Sequence, residues 1–98
     1  MRLLPMAWLM GIATLPALAA SPDAWDAFRQ EVAAACIAAA APLIGNAAAD
    51  VDPFGSESYG LALLYGKAKG ADNEIRAICV FDKKTKTVEI GGELPAAQ

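Results

Sequence analysis

The chain contains two cysteines, Cys36 and Cys79, and this pair limits the possible folds more than any other feature of the sequence. In an exported protein two cysteines are typical of a disulfide, and only one pairing is possible. A redox motif usually has its cysteines two residues apart, which these are not. A zinc site usually takes four ligands, and the chain has no histidine to complete one. The sequence therefore predicts a structural disulfide that brings these two positions together.

The N-terminal segment predicts export to a compartment in which a disulfide is stable. Arg2 precedes an apolar run over residues 3–15, and residues 17–19, ALA, have the small-x-small pattern of a cleavage site. We predict a signal peptide over residues 1–19, with cleavage after Ala20 as the alternative. An uncleaved anchor helix is the competing interpretation, although the apolar run is short for a membrane span. The expected location is periplasmic or secreted, with no membrane span after cleavage.

The remaining residues, 20–98, predict a single small α+β domain that begins with a helix. Ser21 can accept from free N–H groups at the helix start, and proline and aspartate follow it at positions that suit them. Apolar residues then recur at helical spacing, and they are Trp25, Phe28, Val32, Ala35, Cys36 and Ala39. Pro42 is expected to end the helix, because the residue before a proline resists helical geometry.

From Ser58 onward the pattern changes to the alternation that is typical of β-strands. It predicts three strands, over residues 58–66, 74–82 and 86–90, joined by short turns. Cys79 lies on an apolar face of the middle strand. We therefore predict one N-terminal amphipathic helix packed on a three-stranded antiparallel β-meander, with the disulfide tying the helix to the central strand. Residues 92–98 are expected to form a loose tail.

Residues 50–57, DVDPFGSE, allow two interpretations. The candidate ligands of a weak calcium site are Asp50, Asp52 and Glu57. A calcium loop of the EF-hand type, however, needs an oxygen ligand where Phe54 stands and a glutamate at the twelfth position, which is Leu61. The alternative is a crossover loop between helix and sheet, bent by Pro53 and Gly55. The sequence favours the crossover loop.

Composition argues against several classes of function. The chain has 8 basic and 11 acidic side chains, so it lacks the positive charge of a nucleic-acid-binding protein. It has no histidine, the commonest general base, and so small a domain offers little room for an enclosed pocket. We predict a non-enzyme without a cofactor; the enzymatic alternative is a hydrolase using the acidic residues of segment 50–57. The lysines near the turns are expected to be solvated.

Residues 65–70, YGKAKG, resemble the Tyr-to-Lys-Gly segment of periplasmic inhibitors of C-type lysozyme. The likeness extends little beyond this segment. That family has an all-β barrel fold and carries a threonine before the Lys-Gly pair, where this chain has Ala68. As an alternative function, the resemblance implies a small periplasmic protein of the lysozyme-inhibitor type.

The best indication of function is the sheet face that a single helix leaves uncovered. We expect this face to present Ala62, Leu64, Ile78 and Val80, with Arg76 and Glu89 beside them. An apolar strip with a charged border is typical of a partner surface. The competing interpretations are ordinary exposed apolar area and cover by the tail around Leu94. We predict a non-catalytic binding protein whose partner is a second copy, forming a homodimer, or an envelope protein.

Overall fold

The computed structural model describes residues 21–96 and consists of one helix packed on an antiparallel sheet. Its elements are α1 (Pro22–Ala39), β1 (Ile44–Val51), β2 (Tyr59–Ala68), β3 (Glu74–Asp82), β4 (Val88–Ile90) and β5 (Leu94–Pro95). The predicted α+β class is confirmed, but the sheet has five strands rather than three. The strand order is β1-β2-β3-β4, and β5 also pairs with β3.

The predicted signal peptide, residues 1–19, lies outside the described residues. Within the described part of the chain, no helix combines the length and the hydropathy that a membrane crossing requires.

Helix α1 begins where its capping residues predict. The Ser21 hydroxyl accepts a hydrogen bond from the backbone N–H of Ala24 at 3.1 Å, and Asp23 lies in the first turn. The helix ends at Ala39, ahead of Pro42, and its apolar face buries Val32 and Cys36. This face sets how the helix lies on the sheet.

Strand β1 is the element that the sequence pattern does not reveal. The sequence predicts a connection between the helix and the sheet, but Ile44–Val51 forms a strand that pairs antiparallel with β2. Its run of alanines has little strand preference and no alternation of apolar and polar residues. The register shifts between Gly45 and Ala48, and Asn46 has a positive φ of 52°, so the turn-like residues form a bulge within the strand. The strand forms because β2 supplies its hydrogen-bond partners.

The predicted disulfide is confirmed. Cys36 of α1 and Cys79 of β3 are bonded, with their Cα atoms 5.9 Å apart, and both are fully buried. They lie in a core whose members are Val32, Cys36, Ala40, Ile44, Ala62, Leu64, Ile75, Ala77, Cys79 and Phe81. At Gly60 an added Cβ would come within 2.7 Å of Cγ2 of Val32, so a glycine there lets the helix approach the sheet closely.

The segment predicted as a loose tail contains a short strand. Leu94–Pro95 pairs with Ile75–Arg76 of β3, and the Arg76 Nε donates to the Pro95 carbonyl at 2.9 Å. Strand β4 pairs only with residues 79–81, so the first part of β3 has free backbone groups on that side. The tail supplies hydrogen-bond partners for some of these backbone groups. Local sequence patterns do not predict this pairing, because its two strands are distant in sequence.

We expect the disulfide to supply a large part of the stability of this small domain. Replacing both cysteines, Cys36→Ala with Cys79→Ala, should lower the free energy of unfolding by about 4 kcal/mol, because the bond closes a long loop in the unfolded chain. The melting temperature should then fall by at least about 15 °C. Reductant should lower the melting temperature of the parent protein in the same way and leave the variant unchanged. Equal melting temperatures for parent and variant would contradict this role.

Candidate functional site

The candidate site is the sheet face that points away from α1, which we call the open face. Strands β2 and β3 alternate between buried residues that face the helix and more exposed residues on the other side. The register groups the latter into five cross-strand rows: Tyr59–Asp82, Leu61–Val80, Leu63–Ile78, Tyr65–Arg76 and Lys67–Glu74. The inner rows are apolar, and charged side chains lie toward both ends.

Two residues predicted for this face, Ala62 and Leu64, lie on the opposite face, so their predicted placement is wrong. They are 5% and 0% exposed and belong to the core beneath α1. The cause is the register, because Ala62 lies opposite Cys79, whose side chain must point toward the helix to form the disulfide. Leu61 and Leu63 occupy the open face in their place. Both sets of alternate residues in β2 are apolar, so the sequence gives no sign of which set faces the helix.

The other predicted residues of this surface, Arg76, Ile78 and Val80, do lie together on the open face. Ile78 is 49% exposed, more than either tyrosine of β2. Glu89 of β4 lies beside Val80, and Leu94 of β5 lies beside Arg76. The structure thus brings together an apolar centre and a charged border, while their role in binding stays a prediction.

The charges of the open face have no ionic partners within the described chain. Among residues 21–96 the ion pairs are Arg29–Asp26 and Lys86–Glu31, neither of which involves the open face. The Arg76 guanidinium donates a hydrogen bond from Nε to the Pro95 carbonyl. It has no carboxylate within 4.0 Å in this part of the chain. Charges of both signs on one face are available to an external partner.

One end of the open face carries a shallow groove of about 330 Å³. Leu63, Tyr65 and Arg76 form its floor and Asp50 and Ala96 lie at its sides. The groove is open to solvent along its length, whereas small-molecule sites bury most of the ligand surface. It is better suited to a protein side chain or segment than to an enclosed small molecule.

Segment 50–57 contains the last two residues of β1 and the bend that leads to β2, so it is not a connection from helix to sheet. The Asp52 carboxylate accepts hydrogen bonds from the backbone N–H groups of Phe54 and Gly55, at 3.2 and 3.0 Å. Gly55 has a φ of 71°, and a Cβ there would collide with the Tyr59 carbonyl oxygen. Asp52 therefore stabilises the turn through its own side chain.

The three candidate calcium ligands, Asp50, Asp52 and Glu57, are not brought together. Within residues 21–96 no group of three or more acidic or cysteine side chains is arranged to hold a metal ion. The hydrolase alternative uses the same residues, and it stays a prediction.

Segment 50–57 is instead clamped by two cations that lie far from it in the sequence. Lys83 donates from Nζ to the carbonyls of Phe54 and Ser56, at 3.0 and 2.7 Å. The same ammonium group lies 5.6 Å from the ring centre of Trp25, and Arg29 donates to the Pro53 carbonyl at 3.1 Å. The expectation that the turn lysines are simply solvated is wrong for Lys83. Its partners follow from tertiary packing, and no local sequence signal identifies them.

A second aspartate, Asp82, forms a turn of the same kind between β3 and β4. Its carboxylate accepts from the backbone N–H groups of Thr85 and Lys84, at 3.0 and 2.8 Å. The bond from Thr85, followed by that from Lys84, lowers the pKa of Asp82 below its ordinary value. A lowered pKa means that this carboxylate stabilises the fold above the ordinary aspartate pKa, and that the contribution is lost as the pH falls through the lowered value.

Comparison with protein-family models, curated protein sequences and solved structures finds no match for this chain. The segment that resembles lysozyme inhibitors, residues 65–70, forms the end of β2 and the turn after it. The all-β barrel that this resemblance implies is not the fold of the chain, which has a helix packed on its sheet.

We expect Lys83→Met to lower the free energy of unfolding by about 1–2 kcal/mol, because methionine keeps the apolar stem and loses the hydrogen bonds to the loop. Thermal unfolding measures this change. Lys84→Met is the matched control, since Lys84 is exposed in the same turn, and it should stay within about 0.5 kcal/mol of the parent. Equal losses for the two variants would show that Lys83 does not clamp the loop.

Calcium should leave the melting temperature unchanged up to millimolar concentration. Asp52 is engaged in its own turn, and the other acidic groups of the segment are not placed to join it around an ion. A ligand that binds only the folded state raises the melting temperature, and the rise continues with the logarithm of its concentration above the dissociation constant. A calcium-dependent rise that Asp52→Asn abolishes would restore the calcium hypothesis.

Proposed function

We propose that the chain is an exported, non-catalytic binding protein that contacts a protein partner through the open face. The observation that carries this proposal is the contiguous apolar surface formed by Leu61, Leu63, Ile78 and Val80 on the side of the sheet opposite the buried core.

Such a surface departs from the usual pattern of a sheet with one solvated side. Antiparallel sheets of that kind alternate apolar residues toward the core with polar residues toward water. Here both faces of β2 and β3 are apolar over their central residues. Apolar area gains roughly 25 cal/mol per Å² when it leaves water, so covering the open face would be favourable.

The residue types of the open face favour a protein as the partner. Tyr59 and Tyr65 are 43% and 38% exposed, and Arg76 lies beside Tyr65. Tyrosine and arginine are enriched at protein interfaces and supply much of their binding energy. The open groove suits a small molecule poorly, and the acidic balance of the chain argues against nucleic acid.

Two features support the exported location. The Cys36–Cys79 bond is of the kind that persists in oxidising compartments such as the periplasm or the extracellular space. The pattern of residues 1–19 is that of a signal peptide, which places the mature N-terminus at Ala20 or Ser21.

The non-catalytic part of the proposal rests on the available chemistry. The full sequence lacks histidine, and the bonded cysteines offer no thiolate nucleophile. Among residues 21–96, no group of three or more acidic or cysteine side chains is arranged to hold a metal ion that could activate water.

A photo-crosslinking residue placed at Ile78 tests the proposal in cells that produce the protein. The matched control is the same residue at Ile37, an isoleucine on α1 that is 36% exposed and lies away from the open face. We expect an adduct with a protein from position 78 and not from position 37. Adding Val80→Lys should remove the adduct, because a lysine would place a charge in the apolar centre.

The contradicting result is equally specific. If positions 78 and 37 give the same set of adducts, or if position 78 gives none, the open face has no dedicated protein partner and the proposal fails.

A further inference from the structure

We propose that the partner is a second copy of this chain, packed open face to open face about a twofold axis parallel to the strands and between β2 and β3. This inference rests on the proposed function and names its partner. It follows from the register of the two central strands and the chemistry of each row.

A rotation about this axis exchanges β2 with β3 but keeps every row at the same level. Each residue of one copy therefore lies over the residue that is its cross-strand neighbour within its own sheet. Leu63 meets Ile78 of the second copy, and Ile78 meets Leu63. Such reciprocity is the property of a twofold interface, in which residue i contacts j and j contacts i. Stacked sheets lie about 10 Å apart, and the outer rows stay aligned when the strands of the two copies run nearly parallel, which is the low end of the range of up to about 30° in aligned sandwiches.

The central rows supply apolar contacts under this arrangement. The rows Leu61–Val80 and Leu63–Ile78 pack only aliphatic side chains against one another. Of these four side chains Ile78 is 49% exposed, and the other three are half-buried.

The outer rows supply contacts between unlike groups. Lys67 meets Glu74 of the second copy, which forms two ion pairs in the dimer, and Tyr65 meets Arg76, which brings a guanidinium to a ring face. Tyr59 meets Asp82, a hydroxyl donor and a carboxylate. The complementarity that each row has within one sheet is repeated between the two sheets.

A twofold axis perpendicular to the strands and centred on the row Leu63–Ile78 would place Glu74 over Asp82 and so oppose two carboxylates at each end. The sign of these contacts favours the parallel axis over this one. A perpendicular axis between the rows Leu61–Val80 and Leu63–Ile78 would place Arg76 over Asp82 but leave the row Lys67–Glu74 without a partner, so charge reversal at that row distinguishes it from the parallel axis. The remaining acidic groups, Asp50 and Glu89, lie on the outer strands at the solvated border, where salt screens their repulsion.

The size of the face puts it at the low end of specific interfaces, where weak and reversible contacts are common. Four strands about 4.8 Å apart, with rows that span about nine residues of roughly 3.3 Å each, give a face of about 20 Å by 30 Å. This is somewhat less than the ~800 Å² per partner of a standard interface. We therefore expect a reversible dimer with a dissociation constant in the micromolar range.

Charge reversal at one row tests this geometry by sedimentation equilibrium of the purified mature protein. Lys67→Glu and Glu74→Lys should each weaken self-association by about tenfold, because both outer contacts become repulsive in a dimer of identical variants. In an equimolar mixture, every contact of that row between the two variants joins opposite charges. The mixture should therefore associate about as strongly as the parent, although neither variant does so alone.

The matched control makes the same charge changes away from the open face. Glu31→Lys and Lys86→Glu alter an ion pair between α1 and the segment before β4. We expect parent-like self-association from each of them and no gain on mixing. The thermal unfolding of every variant, recorded alongside, shows that the protein in each measurement is folded.

The outcomes separate this inference from the proposed function. If the parent protein is monomeric at several hundred micromolar, the proposal that its partner is a second copy is wrong. A crosslink from Ile78 to a different protein would still support binding through the open face. A dimer that both reversals leave unchanged, or that mixing does not restore, overturns the proposed axis. Absence of any Ile78 adduct, including one to a second copy, overturns the proposed function itself.

Discussion

The bond between Cys36 and Cys79 decides which side of the sheet becomes the core. Side chains alternate along a strand, so a Cys79 that points toward α1 carries Ile75, Ala77 and Phe81 to the same side. In β2 a slip of one residue would exchange the two faces, and both of its faces are apolar enough to pack. Hydrophobic burial alone would discriminate poorly between these alternatives. The covalent bond removes the ambiguity and thereby also defines the open face.

A second attachment, independent of the disulfide, holds the bend between β1 and β2 against the helix. The Lys83 ammonium joins the carbonyls of this bend to the aromatic rings of α1, with Trp25 and Phe54 in edge contact at 4.9 Å. The loop that most resembles a metal site in the sequence is thus a structural joint. Its aspartate shapes the turn, and its carbonyls are satisfied by cations of the protein itself.

The sequence predicts those parts of the fold that depend on local chemistry. The cap at Ser21, the helical apolar face with Cys36 and the alternation of β3 all occur as expected. The parts that were missed depend on partners distant in sequence. The alanines of β1 become a strand only because β2 pairs with them, and the tail pairs with β3 because β4 is short. The prediction of which β2 residues point away from the helix is wrong, because Ala62 and Leu64 are as apolar as Leu61 and Leu63.

The apolar composition of both faces of β2, which hides from the sequence which face meets the helix, is also the main support for the proposed function. A strand that is apolar on both faces is typical of a strand that is buried on both faces. Within residues 21–96 only α1 covers a face of the sheet, and β5 reaches no further than its border. The composition of β2 and β3 therefore matches a layer with cover on both sides, whereas the described chain provides one. A second sheet with the same rows, turned about an axis along the strands, would complete that layer by placing over each residue the residue type that already lies opposite it across β2 and β3.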